Sequence, residues 1–176
     1  NNMKKKVLVT GATGFMGRSL VEKLRIMDDV FSSVITMSRR PYLNKSGKGR
    51  HYTCNLGEVD KTCYDYSCLE KICAQHKPDI IFHLASNPLT KLDENNPHNI
   101  VLDNVIPAHK VAHAAPEGCR VVMASSITVY GDWIFEASDG PEVYTEEMAT
   151  KPTSLYGITK RTSESILSSY VGMGRI

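Results

Sequence analysis

Two side chains four positions apart in this sequence could move a proton. Tyr156 and Lys160 stand in the run SLYGITK, Ser154 to Lys160. A free tyrosine titrates near pH 10, too high for a base at neutral pH. A lysine at i+4 lies on the same face of a helix, and its positive charge favours the tyrosinate. A phenol placed in this way can serve as acid or base toward a hydroxyl or a carbonyl.

A second constellation could hold phosphate. Gly11, Gly14 and Gly17 in TGATGFMGR (10–18) follow the spacing G-x-x-G-x-x-G. Between a strand and a helix, the first glycine permits the tight turn and the second lets a pyrophosphate approach the backbone. The third lets the helix pack closely on the sheet. The helix N-terminus then turns amide N–H groups and a partial positive charge toward the phosphates. A dinucleotide is the expected ligand.

The end of the next strand reads Ser38-Arg39-Arg40. An acidic residue there suits the ribose hydroxyls of NAD. A guanidinium suits a 2′-phosphate instead, through paired charge-assisted hydrogen bonds. NADP is therefore the expected cofactor, with NAD left open.

Other reactive residues point nowhere as clearly. His109 and His113 are spaced i, i+4 on a helix, but no third metal ligand accompanies them. Cys63, Cys68 and Cys73 recur every five residues. On a helix, successive members fall roughly 140° apart and cannot converge on one ion. With Cys54 and Cys119 the cysteine count is five. An odd count without a secretory signal argues against a disulfide framework. Asp93, Glu94, Asp139, Glu142, Glu146 and Glu147 fall in expected loops and read as solvated surface. No metal is expected.

The elements that must position these groups follow from hydrophobic patterning. Strands are expected at 5–10, 30–37, 51–54, 79–85 and 119–125, and helices at 18–27, 66–76, 97–115 and 153–171. Loops are expected at 42–49 and 131–151. Short apolar runs read as strands buried on both faces. Their alternation with helices implies parallel strands joined by right-handed crossovers, a doubly wound α/β sheet of the Rossmann type. No internal repeat or linker divides residues 1–176, so one dinucleotide-binding domain is expected.

Composition agrees with a soluble globular chain. Of 176 residues, 41% are hydrophobic and 23% charged, with 21 basic against 19 acidic and a net charge of +2. That balance gives no electrostatic case for nucleic acid as a partner. The apolar run after Lys4-Lys5-Lys6 is too short for a signal peptide or a membrane span. A cytoplasmic protein without a membrane partner is expected.

Six runs in order carry a more specific signal: TGATGFMG (10–17), NL (55–56), FHLAS (82–86), DNVIPAHKVAHAA (103–115), SSITVYGD (125–132) and YGITK (156–160). In these the chain resembles the extended short-chain dehydrogenase/reductase family, in its nucleotide-sugar epimerase/dehydratase branch. The resemblance implies that Tyr156 is the catalytic acid/base. Lys160 supports it and binds the nicotinamide ribose, and Ser126 orients the substrate oxygen, with Ser125 the nearby alternative.

The resemblance also implies cofactor contacts from Thr13, Phe15 and Met16 beside Gly11, Gly14 and Gly17, and from Ser38, Arg39 and Arg40. Further contacts are implied from Asn55 and Leu56, where the family usually has Asp-Leu or Asp-Ile near the adenine. Leu84, Ala85, Ser86 and Asn104 complete the set with Tyr156 and Lys160. Pro107 stands where a helix glycine is common, and a mid-helix proline is expected to kink the helix.

Ile127 and Thr128 occupy the positions where sugar 4,6-dehydratases carry Asp-Glu. Epimerisation or an NADP-linked ketone/alcohol conversion is therefore expected over dehydration. Family members continue well beyond this length and add a substrate domain. The resemblance thus implies an N-terminal portion, inactive alone, with a nucleotide sugar as substrate. The family's dimer bundle corresponds to helices 97–115 and 153–171, so a homodimer is implied. A non-catalytic NADP(H) sensor and a carbonyl reductase with a non-sugar substrate stay open as alternatives.

Overall fold

The structure, a computed structural model, describes residues 3–41, 49–58, 67–88, 97–131 and 144–176. Expectations for Cys63, Asp93, Glu94, Asp139, Glu142 and most of the loops 42–49 and 131–151 lie outside these residues.

The sequence LysLysValLeuValThr at 5–10 folds as strand β1 (Lys5–Thr10), exposed at its two lysines and buried from Val7 onward. Four more strands pair with it in one parallel sheet: β2 (Phe31–Ser38), β3 (His51–Thr53), β4 (Ile80–His83) and β5 (Arg120–Met123). Their order is β3-β2-β1-β4-β5. Val7 to Thr10 of β1 pair with Val34 to Met37 on one side and with Ile80 to His83 on the other. The doubly wound α/β expectation is met. The chain winds outward from β1 to β3, then returns to lay β4 on the opposite side of β1. The strand order therefore reverses between β1 and β4, the switch point where open α/β sheets form a crevice.

Among the described residues four α-helices cover the sheet: α1 (Phe15–Ile26), α2 (Ser67–His76), α3 (Pro97–Ala114) and α4 (Leu155–Gly172). Alternate residues of a strand face opposite sides, and β1 shows the consequence. Val7 and Val9 join Val34 and the α1 residues Val21 and Leu24 in one core cluster. Leu8 joins Ile35, Met37 and Ile81 with Leu69 and Ile72 of α2 and Val111 of α3 in the other. Helix α4 packs on α3, where Ser163 Oγ donates to the Asn104 carbonyl at 3.2 Å.

Three boundaries differ from the sequence reading in ways that matter for the site. Helix α1 begins at Phe15 rather than Arg18, directly on the glycine turn. Strand β4 ends at His83; the Leu84 amide still donates to the Thr10 carbonyl at 3.2 Å, and the backbone at Leu84 and Ala85 then passes close over Gly11. A 3₁₀ helix forms at Ile127–Tyr130, between the strand expected at 119–125 and the loop expected at 131–151. Helix α3 stays helical through Pro107. Cys54, Cys68, Cys73 and Cys119 are free thiols. Among the described residues no cluster could hold a metal ion, and no helix is long and apolar enough to cross a membrane.

Candidate functional site

A crevice of about 240 Å³ opens at the carboxyl ends of β1, β2 and β4. Gly11, Thr13 and Gly14 form one wall, Ser38, Arg39 and Arg40 a second, and Leu84, Ala85 and Ser86 a third. Asn55 and Leu56 lie at the far end with Gly57.

Backbone sterics explain the glycine wall. Gly11 has φ +69°, and a Cβ there would lie 2.6 Å from the backbone nitrogen of Ala85. No L side chain fits that left-handed position against a crossing strand end. Gly14 is the N-cap of α1, and no side chain caps the amides of the first turn. Gly17 is buried behind the wall, where a Cβ would meet the Gly11 carbonyl oxygen at 2.2 Å. Phe15 and Met16 turn their side chains outward, 94% and 56% exposed.

At the end of β2, Ser38 Oγ donates to the Arg40 carbonyl at 2.6 Å, closing a short turn. Arg39 projects from that turn, and its Nη1 lies 3.2 Å from Asp103 Oδ2 on α3. Asn55 Oδ1 accepts from the Gly57 amide at 3.3 Å, which fixes the turn beside Leu56.

Asn104 is buried next to the crevice and does not line it. Its Oδ1 accepts from the Asn87 amide at 2.7 Å and from Ser86 Oγ at 3.2 Å. Its Nδ2 donates to the Asn87 carbonyl and to Thr159 Oγ1, each at 3.1 Å. Asn104 thus ties the segment after β4 to both α3 and α4.

The tyrosine and lysine lie on the first turns of α4. Ser154 caps that helix, accepting from the Gly157 amide at 3.1 Å. Lys160 Nζ sits 5.7 Å from the centre of the Tyr156 ring and donates to the Ala124 carbonyl, just past β5, at 2.9 Å. Burial lowers the Lys160 pKa from its ordinary value, since desolvation disfavours the ammonium. Tyr156 itself is half-buried.

Ser126 Oγ accepts from the Thr128 amide at 3.3 Å and from Thr128 Oγ1 at 2.9 Å, capping the 3₁₀ helix. Ser125 Oγ instead donates to Glu164. The 3₁₀ helix can press on α4 because position 157 is glycine: a Cβ there would meet the Thr128 carbonyl oxygen at 2.5 Å.

The sequence reading missed Met37, Cys54, Gly57, Asp103 and Pro107 as crevice-lining residues, and Gly157 as a packing glycine. Asp103 directly precedes Asn104 in a run already singled out, but only the fold brings it opposite Arg39.

Among known proteins, the model of the NAD dependent epimerase/dehydratase family matches residues 7–176. A UDP-glucose 4-epimerase of Neisseria meningitidis serogroup C is 32% identical over 93% of this chain and 48% of its own length. MoeE5, solved in complex with UDP-glucose and NAD, superposes with a TM-score of 0.73 at 29% identity, over 94% of this chain and 48% of that one. The L-threonine dehydrogenase of Clostridium difficile gives a TM-score of 0.75 at 27% identity, over 97% and 50%. The chain spans about half the length of the relatives it matches.

Proposed function

The chain belongs to the NAD dependent epimerase/dehydratase family, and on that footing we propose that it supplies the cofactor-binding and proton-transfer parts of a nucleotide-sugar epimerase or reductase. Residues 1–176 form its dinucleotide-binding domain. The observation that carries this reading is that both groups lie beyond the carboxyl ends of the parallel strands: the glycine-walled crevice beyond β1 and β2, and the Tyr156–Lys160 pair anchored at the Ala124 carbonyl beyond β5.

The residues present fit a nicotinamide dinucleotide. Gly11 and Gly14 leave backbone bare along the crevice, and the first-turn amides of α1 carry no side-chain cap. Those amides take the pyrophosphate. Arg39 and Arg40 favour NADP over NAD by charge. Asn55 and Leu56 meet the adenine, while Leu84, Ala85 and Ser86 border the path toward α4. When bound, the cofactor supplies or takes a hydride.

The chain's own residues handle the proton. Tyr156 exchanges it with the substrate hydroxyl or carbonyl oxygen, Ser126 orients that oxygen, and Lys160 holds the tyrosinate by its charge. Ile127 and Thr128 offer no acid or base for eliminating water, and Thr128 Oγ1 is spent on Ser126. That favours epimerisation or reduction over dehydration.

The relatives' printed ligands and activities motivate a UDP-sugar as the substrate class. Exposed apolar side chains on both helices, Val101 on α3 and Ile158 and Val171 on α4, are compatible with a homodimer through the α3–α4 pair that the family resemblance implies. The free thiols agree with a reducing, cytoplasmic setting.

The test is turnover of a UDP-hexose by the protein as its gene encodes it, wild type against Tyr156→Phe. Loss of about 10²–10⁴-fold in kcat with little change in KM is expected for removal of an acid/base group. Equal turnover by both would remove Tyr156 from the mechanism. A second reading is favoured by the likeness to L-threonine dehydrogenase: an NADP-linked alcohol/ketone conversion on a substrate without a nucleotide. Turnover of a simple hydroxy compound with none of a UDP-hexose would select it.

A further inference from the structure

We propose that Asp103 sets the cofactor preference of the crevice by competing with a 2′-phosphate for Arg39. The inference rests on the nicotinamide reading above. Both residues line the crevice, Arg39 from the end of β2 and Asp103 from α3. Arg39 Nη1 lies 3.2 Å from Asp103 Oδ2, so the guanidinium expected to meet a 2′-phosphate already has an anionic partner within the protein.

The carboxylate is the fixed member of the pair. Its side chain is 19% exposed, against 59% for Arg39. Asn87 Nδ2 donates to the same Oδ2 at 3.2 Å, and Asn87 is itself held by Asn104 through backbone hydrogen bonds on both its amide and its carbonyl. On the other side Asp103 Oδ1 rests against Gly57, where an added Cβ would come within 2.6 Å. The carboxylate is packed on two sides, while the long arginine side chain is free to swing.

Competition then follows from charge. A phosphate monoester carries between one and two negative charges near pH 7. To bind Arg39 it must share the guanidinium with Asp103 or draw it away, and in either case it sits in the crevice near a carboxylate of like charge. The ribose diol of NAD is neutral and leaves the pair intact. Arg39 thus pulls selectivity toward NADP while Asp103 pulls it back, and the two cofactors are discriminated less sharply than the arginines alone would achieve.

Titration of NADPH and NADH into the wild type, Asp103→Asn, Arg39→Ala and the double variant, by cofactor fluorescence at low ionic strength, tests this. Asp103→Asn keeps the shape and the Asn87 contact and removes only the charge. It is expected to tighten NADPH by about 3- to 10-fold and to change NADH by less than about twofold. A urea midpoint close to that of the wild type reports an intact fold. In the Arg39→Ala background the gain is expected to shrink below about twofold. An unchanged NADPH-to-NADH ratio in Asp103→Asn, or a gain that persists without Arg39, would overturn the assignment. Failure of the wild type to bind either nucleotide would instead sink the underlying cofactor reading.

Discussion

A single methyl group decides whether the glycine turn can close. An alanine at position 17 would place its Cβ 2.2 Å from the Gly11 carbonyl oxygen, which is backbone and cannot swing aside. Helix α1 would have to retreat from the sheet, carrying its first-turn amides away from the crevice. Gly17→Ala is therefore expected to cost about 1–3 kcal/mol of stability and to weaken NADPH by at least about tenfold. Gly172→Ala is the control, since a Cβ there meets nothing within 4 Å; it should stay within about 0.5 kcal/mol of wild type. Urea denaturation of the two variants distinguishes a steric requirement from a general intolerance of substitution. Gly157 obeys the same logic toward the Thr128 carbonyl, which makes the contact between the 3₁₀ helix and α4 conditional on a missing side chain.

Between elements, polar brackets hold what apolar packing alone would leave free to slide. The buried Asn104 amide joins α3 to Asn87 and Ser86 after β4 and to Thr159 on α4. Thr159 Oγ1 also donates to the Tyr156 carbonyl at 2.8 Å, so the bracket reaches the first turn of the helix bearing the tyrosine and lysine. Asn104→Ala removes the acceptor of the Asn87 amide and the donor to its carbonyl, at a cost of about 1–3 kcal/mol for each buried hydrogen bond lost. A loss of about 2–4 kcal/mol in the urea midpoint analysis is expected. A loss below about 0.5 kcal/mol would mean that packing, not the bracket, fixes α4 on α3. Serine side chains repeat the theme more weakly, as with Ser163 Oγ on the Asn104 carbonyl.

For the molecule as a whole, the buried histidine at the carboxyl end of β4 sets a limit on acid stability. His83 Nδ1 and Thr10 Oγ1 lie 2.7 Å apart between β4 and β1. Burial first, and the nearby Lys160 charge second, push the His83 pKa down to about 3. In the unfolded chain a histidine titrates near 6.5. Below that pH the unfolded state binds a proton that the fold excludes, so stability falls as pH drops toward the folded value. Above it this contribution is constant. The expected slope is about 1.4 kcal/mol per pH unit from this group. His51, His76 and His109 are shifted down too, each first by burial, and add in the same direction. Urea midpoints between pH 4.5 and 7 should show the slope, and His83→Gln should flatten it. An unchanged slope in that variant would place the acid sensitivity elsewhere.

What the amino-acid sequence determined by itself is whatever is written in neighbouring residues. Short continuous apolar runs and patterns of period near four set out strands and helices, and their alternation implied parallel pairing. The glycine spacing marks the turn because all three positions act within seven residues, and Tyr156 and Lys160 share a face because four residues make one helical turn. The tertiary structure alone decided which distant groups meet. Arg39 and Asp103 are 64 positions apart and Asn104 and Thr159 are 55 apart. No local periodicity encodes either meeting. The first depends on the strand order β3-β2-β1-β4-β5, which brings α3 across from the end of β2, and the second on the packing of α4 against α3. The pass of Leu84 and Ala85 over Gly11 and the glycine at 157 belong to the same class, since each answers to a backbone far away in the chain: a close approach becomes visible only when two segments occupy the same space.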